Sequence, residues 1–179
     1  SSAQSTEPGL GRKIAKDDMR KVVTLKVSGT INSYDIIVMN NKMINLRWLD
    51  LSDATIVGCN HEYYTGYATS DNIVGNRMFY DHDKYLSIKL PKNAERIDAE
   101  AFAGCNNLKE VELYEGIKSI GSSAFSRCNG IKQMNIPSGC ENIEYEAFGS
   151  CSNLKEVVIG EGCKGIGYRA FSGCYNLHT

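Results

Sequence analysis

Residues 160–165 read GEGCKG and match G-x-G-x-x-G, a pattern that marks a phosphate-binding loop in many cofactor enzymes. In such a loop the glycines let backbone N–H groups and a helix N-terminus approach the pyrophosphate, and an acidic residue about 20 positions later holds the ribose. The 14 residues after Gly165 instead repeat an earlier stretch of the chain. The pattern therefore does not predict a dinucleotide site, and we expect no cofactor.

The three histidines do not complete a catalytic or metal-binding motif in the sequence. His61 lies two residues after Cys59, His82 lies between two aspartates, and the third is next to the last residue. A structural zinc site needs four ligands, and a nucleophile needs a base held by a third group. We expect neither a metal nor a catalytic centre. The alternative is an enzyme whose site is built by residues 53–72, with His61 or His82 beside a carboxylate.

From about residue 74 onward the chain repeats with a period of 23 residues. A fixed period of this length indicates one supersecondary unit stacked on copies of itself. Each unit contains an alternating segment such as LKEVEL or LKEVVI, which is typical of a strand with one buried face. The repeated columns are Phe79, Phe102, Phe125, Phe148 and Phe171; Ala101, Ala124, Ala147 and Ala170; Cys105, Cys128, Cys151 and Cys174; and Leu108, Ile131, Leu154 and Leu177.

The repeat also explains the glycine motif and the cysteines. Gly162 is equivalent to Gly139, Gly116 and Asn93, and because Gly and Asn tolerate positive φ, we interpret it as a turn residue after the strand.

Stacked cysteines would have parallel Cβ vectors, a poor geometry for disulfides. We expect them to be small buried apolar side chains, with a disulfide or metal role as the alternative.

The segments AFAGCNNLKEVEL (101–113), AFGSCSNLKEVVI (147–159) and AFSGCYNL (170–177) resemble the BspA-like leucine-rich repeats of bacterial surface proteins. The resemblance covers residues 74–179. It implies an α/β fold, a right-handed leucine-rich-repeat solenoid of 23-residue coils with a concave β-sheet and short turns on the convex side. It also implies an exported protein with a role in adhesion or protein binding.

Upstream of the repeats, two strand-like segments (23–29 and 46–52) enclose a helical pattern with Asn32 or Ser33 as its N-cap. This unit would close the exposed end of the stack with a helix-containing cap. Residues 53–72 break the period and predict a tyrosine-rich long loop or irregular hairpin that projects from one edge. The expected divisions are a flexible segment (1–12), the capping unit (13–52), the irregular loop (53–73), and repeats whose last copy is incomplete (74–179).

Composition restricts the partners. The net charge is −1, and no apolar run approaches the roughly 20 residues of a membrane span, so we expect neither nucleic-acid binding nor a transmembrane span. The Ser-rich start is typical of a chain whose leader was removed or trimmed, which favours export, with a lipid anchor lost from the N-terminus as one route. The last repeat stops early, which favours a fragment of a longer chain.

The outward side chains of the strands do not pack in the hydrophobic core, so their side of the sheet is the expected partner-binding surface. Trp48 is the one tryptophan, and an exposed aromatic residue is a common interface anchor; the alternative is that the 53–72 loop covers it. The expected partner is a protein or glycan, including host extracellular matrix. The alternatives are a structural spacer in a longer surface protein and a glycan-binding module. The candidate residues are Trp48, Asp50, Lys89, Glu110, Glu112, Tyr114, Gln133, Asn135 and Glu156.

Overall fold

The structure, a computed structural model, describes residues 9–178. Residues 1–8, which belong to the segment expected to be flexible, lie outside the described residues, as does Thr179. The described helices are α1 (Gly9–Lys13), α2 (Lys16–Met19), α3 (Ser33–Ile37) and a π-helical turn (Val38–Lys42). The strands are β1 (Thr24–Ile31), β2 (Trp48–Ile56), β3 (Glu62–Tyr64), β4 (Tyr67–Ala68), β5 (Ile73–Val74), β6 (Ser87–Lys89), β7 (Arg96–Ile97), β8 (Glu110–Glu112), β9 (Ser119–Ile120), β10 (Gln133–Ile136), β11 (Asn142–Ile143), β12 (Glu156–Ile159) and β13 (Gly165–Ile166).

The predicted solenoid is confirmed, because successive coils pair through parallel strands at the 23-residue spacing. One side carries a continuous five-stranded sheet in the order β13-β11-β9-β7-β5. The other side carries the strands expected on the concave face, in the order β1-β2-β6-β8 followed by a separate pair, β10-β12. These six strands are referred to below as the concave sheet. The two sides enclose the core.

Phenylalanine rings stack through the core in the predicted column. Ring centroids of successive phenylalanines are 5.3, 4.9, 5.1 and 5.3 Å apart from Phe79 to Phe171, with planes within 16° of parallel. Phe102, Phe125 and Phe148 are fully buried. Each coil therefore adds one aromatic rung, and the registration inferred from the sequence is confirmed.

The column cysteines are free thiols that also connect adjacent coils. Each Sγ donates to the carbonyl of the phenylalanine 26 residues earlier, as Cys128 does to Phe102 at 3.1 Å and Cys151 to Phe125 at 3.0 Å. All seven cysteines are unpaired. The expectation of small buried side chains holds for the column members inside the stack, and the thiol hydrogen bond is an addition that composition did not reveal.

The thiols should differ sharply in reactivity. Burial raises the pKa of Cys128 to about 12. Burial alone would also raise the pKa of Cys59, but hydrogen bonds from Ser33 and Thr69 outweigh it and lower that pKa. Because the thiolate is the reactive form, iodoacetamide should label half-exposed Cys59 at least about tenfold faster than Cys105, Cys128 or Cys151 in the native protein. Peptide mass spectrometry over time measures the rates; equal labelling of all four would contradict the buried column.

The turn glycines have a different role from the one predicted. Gly162 does not have positive φ; a Cβ there would lie 1.9 Å from the Ser138 carbonyl oxygen, and one at Gly139 would lie 2.7 Å from that of Glu115. Glycine is needed because adjacent coils approach closely at this corner. Within the repeats from residue 74 onward, the residues with positive φ form two other columns. The first column is Arg77, Glu100, Ser123, Glu146 and Arg169. The second column is Asp81, Gly104, Arg127, Ser150 and Gly173.

A column of asparagines fastens the starts of β8 and β12, and the equivalent point in the last coil, to the coil before each of them. The Nδ2 of Asn107, Asn153 and Asn176 donates to the carbonyl 24 residues earlier, at 2.7–2.8 Å. The equivalent residue in the first coil is Lys84, whose Nζ reaches three carbonyls at the end of the π-helical turn. Its acceptors are Met39 O (2.6 Å), Asn40 O (2.9 Å) and Met43 O (2.7 Å). The column is interrupted at Gly130.

The capping unit contains the predicted helix, and Asn32 is its N-cap. Asn32 Oδ1 accepts from Tyr34 N, and the Asp35 carboxylate accepts from Asn32 N at 2.9 Å, forming a capping box. The second Asp35 oxygen accepts from Leu10 N at 3.0 Å. This bond and the burial of Leu10 hold α1 in place, so residues 9–12 are helical where a flexible segment was expected.

Of the two alternatives for residues 53–73, a long loop or an irregular hairpin, the structure shows a hairpin. Strand β2 continues to Ile56, and β3 and β4 form an antiparallel hairpin. Tyr63 OH donates to Asn76 O at 2.5 Å, and Tyr64 packs edge-on against Tyr80 with centroids 5.9 Å apart. Arg77 lies over the Tyr80 ring at 4.4 Å and donates to Tyr64 OH at 2.9 Å. The tyrosines therefore fasten the hairpin to the first repeat.

Candidate functional site

The concave sheet arranges the predicted outward residues in rows that follow the strand register. Trp48 lies between Thr24 and Ser87, and Ser87 is paired with Glu110. The second row runs Lys26, Asp50, Lys89, Glu112 along the same four strands. On the separate pair, Gln133 faces Glu156 and Asn135 faces Val158. The structure thus brings the candidates onto one surface, in two groups.

Trp48 is exposed on this surface. Its side chain is 45% accessible, so the 53–72 segment does not cover it. Backbone N–H groups of Arg47 and Trp48 donate to Val23 O at 2.8 and 3.1 Å, which fixes the start of β2 against β1. A large aromatic side chain on a rigid strand is available for contact with a partner.

Asp50 is held in one orientation by the neighbouring serine. Its Oδ1 accepts from Ser52 N at 2.9 Å and from Ser52 Oγ at 2.6 Å. Burial alone would raise the pKa of Asp50, but these hydrogen bonds, with Lys89 and Lys26 nearby, lower it. Asp50 is therefore a fixed anion in the middle of the row. Ser52 is buried, so it supports Asp50 and does not form part of the outer surface.

Tyr114, which lies two residues after β8, adds a phenol beside carboxylates. Burial and the carboxylates of Glu112 and Asp50 raise the pKa of Tyr114, so this side chain stays a neutral donor at physiological pH. Glu112 also lies 4.0 Å from Lys89 Nζ, a pair that is half exposed on both sides. The remaining candidates Glu110, Gln133, Asn135 and Glu156 are exposed. The surface offers mixed charges, amides and two aromatic groups.

The concave sheet is open between β8 and β10, and this opening is referred to below as the seam. At the regular junction after it, Lys155 N and Glu156 N donate to Lys132 O at 2.8 and 3.3 Å. The equivalent donors Lys132 N and Gln133 N make no bond to Lys109 O within residues 9–178. The second sheet stays paired here through β9 and β11. The coils therefore separate on the concave side alone.

Two core residues are partly exposed at the seam. Val111 and Leu113 occupy inward positions, yet both are half-buried, whereas their equivalents Ile88 and Leu90 are fully buried. A groove of about 690 Å³ opens over them. Its rim includes Lys89, Lys109, Glu110, Lys132, Gln133 and Asn135.

The histidines considered for catalysis are engaged in packing. The His61 ring stacks on Tyr34 with centroids 4.2 Å apart. Burial lowers the pKa of His82, whose ring lies edge-on to Tyr85 at 6.3 Å. Neither histidine lines the seam groove or a second groove of about 380 Å³ at residues 58–60 and 69–71. Across residues 9–178 no group of three or more His, Cys, Asp or Glu side chains is placed to hold a metal ion.

Among the helices that the structure describes, none is both long and apolar enough to cross a membrane.

Sequence comparison agrees with the 23-residue repeat described above. Residues 72–179 match the family described as the BspA type leucine rich repeat region, in six copies. A search of the curated proteins finds no match. The leucine-rich-repeat protein TpLRR of T. pallidum is 31% identical, with a TM-score of 0.58 over 59% of this chain and 49% of that one. The chain thus spans about half the length of that relative.

Two further solved structures share the fold. A leucine-rich cell surface protein of Faecalibacterium prausnitzii is 22% identical, with a TM-score of 0.59 over 76% of this chain and 42% of that one. The pneumococcal vaccine antigen PcpA is 18% identical, with a TM-score of 0.51 over 60% of this chain and 29% of that one. At these identities the likeness concerns the arrangement of coils.

Proposed function

Because the chain belongs to the BspA-type leucine-rich-repeat family, we propose that it is a non-enzymatic protein-binding or adhesion module of an exported bacterial surface protein. The partner is a protein held on the concave sheet. The observation that carries this proposal is the group of outward side chains around Trp48, Asp50 and Tyr114, which lie on one surface and are not used in the core. A cell surface protein and a vaccine antigen with the same fold support export.

The chemistry of the surface favours a protein partner. Interface anchors are commonly aromatic residues surrounded by polar groups that exclude water. Trp48 provides the anchor, the Asp50 carboxylate provides a fixed acceptor, and the Tyr114 phenol provides a donor. Lys89 and Glu112 add charges of both signs. Such a surface discriminates between partners by charge placement.

Binding should depend on the concave surface. We expect Trp48→Ala, Glu112→Ala and Tyr114→Ala together to weaken partner binding at least about 100-fold, since single anchors contribute about 2 kcal/mol or more. The measurement is surface plasmon resonance against a panel of extracellular-matrix proteins and polysaccharides, with circular dichroism to confirm folding. The control is Tyr168→Ala, which removes a 76% exposed aromatic side chain elsewhere.

The outcomes separate the alternatives. Retention of protein binding by the triple variant, with loss in Tyr168→Ala, would place the site off the concave sheet and refute the assignment. Binding to polysaccharides alone would favour the glycan-binding alternative. Absence of binding to the whole panel would favour the structural spacer.

A further inference from the structure

The seam exposes main-chain hydrogen-bonding groups in the middle of the concave sheet. The N–H groups of Lys132 and Gln133 and the carbonyl of Lys109 are the equivalents of groups that bond to each other at the next junction. In the described part of the chain they have no such partner across the seam. Unpaired edges of a sheet are templates for another strand. The walls of the groove are therefore suited to an extended main chain.

The floor of the groove selects alternating apolar side chains. Val111 lies on β8 and Leu113 directly follows it, two residues later, and both are half-buried. A strand laid along them would place every second side chain on this floor and the others toward solvent. The groove has a volume of about 690 Å³, which lies within the range of pre-formed ligand sites.

The opening coincides with the interruption of the asparagine column. Asn107 and Asn153 each fasten their coil to the previous one, whereas Gly130 has no side chain to do so. A Cβ at Gly130 would lie 2.6 Å from the Leu108 carbonyl oxygen. A side chain at this position would push the two coils apart, so glycine keeps them in contact at the end where the opening begins.

The charges at the strand-start end of the seam favour an acidic terminus on the occupant. Lys109 and Lys132 are exposed on the two sides of the opening. Neither makes an ion pair within the described residues, whereas Lys89 lies near Glu112. The groove is lined by Lys89, Lys109 and Lys132 against Glu110 and Glu112, so lysines outnumber carboxylates and the two lysines at this end attract carboxylates.

We propose that the seam between β8 and β10 binds an extended peptide segment of a partner protein, which adds as a strand and has acidic residues followed by alternating apolar residues. This inference rests on the proposed protein-binding function and specifies the recognition mode. The main chain of the segment bonds to the open N–H groups of Lys132 and Gln133, its apolar side chains contact Val111 and Leu113, and its acidic end lies between Lys109 and Lys132. Such recognition obtains affinity from main-chain bonds and specificity from alternate side chains.

The test uses a fluorescein-labelled synthetic peptide, DDVTVTVT, and fluorescence anisotropy with the full chain. We expect saturable binding, and a loss of at least about tenfold when the threonine nitrogens are methylated, because methylation removes main-chain donors. Val111→Lys, which places a charge on the floor, should weaken binding at least about tenfold, and Val158→Lys, on an exposed residue of β12, should leave binding unchanged.

Hydrogen exchange tests the opening without any ligand. In the free protein the amides of Lys132 and Gln133 should exchange at least about tenfold faster than those of Lys155 and Glu156, and the peptide should slow them. Equal protection of the two pairs would overturn the inference, as would failure of the peptide to bind or indifference to methylation. If the concave surface binds a protein while the peptide does not bind, the inference fails and the proposed function stands.

Discussion

Replacing Phe125 with alanine is expected to lower the free energy of unfolding by about 3–5 kcal/mol. Its ring is fully buried and stacks on two neighbours, Phe102 at 4.9 Å and Phe148 at 5.1 Å. The substitution removes an aromatic rung and leaves a cavity in a stack whose coils cannot close over it without losing their strand pairing. Urea denaturation followed by circular dichroism measures the change.

Phe171 provides the matched control in the same column. Its ring stacks on Phe148 at 5.3 Å and is half-buried. Phe171→Ala should therefore cost about 1–2 kcal/mol, because less apolar area is buried. Equal losses from the two substitutions would contradict the view that stacking between coils stabilises the core.

Replacing Lys84 with methionine is expected to lower the free energy of unfolding by about 2–3 kcal/mol, because hydrogen bonds to a charged group are worth about 1.5–3 kcal/mol. The variant keeps an apolar stem but leaves the carbonyls of Met39, Asn40 and Met43 without their common donor. Burial and the charge of Arg47 lower the pKa of Lys84 to about 8, so the comparison is made at pH 6.5, where the ammonium is charged.

Lys155→Met serves as the control for this substitution. Lys155 is exposed, so its replacement should change the free energy of unfolding by less than about 0.5 kcal/mol. Hydrogen exchange should also show faster opening of residues 38–43 in Lys84→Met alone. A stable Lys84→Met protein with unchanged exchange would show that the capping unit does not depend on this contact.

The periodic part of the fold could be predicted from the sequence, since identical rungs repeat the same residue types. The Phe and Cys columns require large and small apolar side chains at fixed positions, and the structure places them in register. For the helix N-cap the sequence left two residues, Asn32 and Ser33, and the structure selects Asn32 through its capping box with Asp35. Repetition was therefore sufficient for the columns, whereas local chemistry narrowed the N-cap to two neighbours.

Backbone conformation could not be predicted in the same way. Glu100, Ser123 and Arg169 have positive φ although none is a glycine or asparagine, because bonds between coils, such as Glu100 N to Ser122 O at 3.0 Å, hold the turn in place. The recurrence of glycine at Gly116, Gly139 and Gly162 within the chain suggested positive φ. It instead reflects the close approach of neighbouring coils. A single sequence does not distinguish these two uses of glycine.

The candidate site was predicted in part. The register of Trp48, Asp50, Lys89 and Glu112 followed from alternation along the strands, whereas their role in binding stays a prediction. The seam was missed because Val111 and Met134 continue the apolar columns without a gap. The available signal was Gly130 in a column that otherwise holds Asn107, Asn153 and Asn176, and its meaning depends on a hydrogen bond that only the structure shows.

The contacts of the tyrosine-rich segment could not be predicted from its local pattern. Tyr63 and Tyr64 bond to Asn76 and Arg77. The hairpin is therefore part of the junction between the capping unit and the repeats. Its partners lie more than ten residues away in the sequence, so local pattern could not reveal them.

The most direct test of this account is a nuclear Overhauser measurement on protein with protonated phenylalanine rings in a deuterated background. If equivalent residues lie directly above one another, ring protons of Phe125 should show strong cross-peaks to those of both Phe102 and Phe148, whose centroids are 4.9 and 5.1 Å away. Absence of both cross-peaks in the folded protein would show that the coils are not in register, and the rows assigned to the concave sheet would not exist.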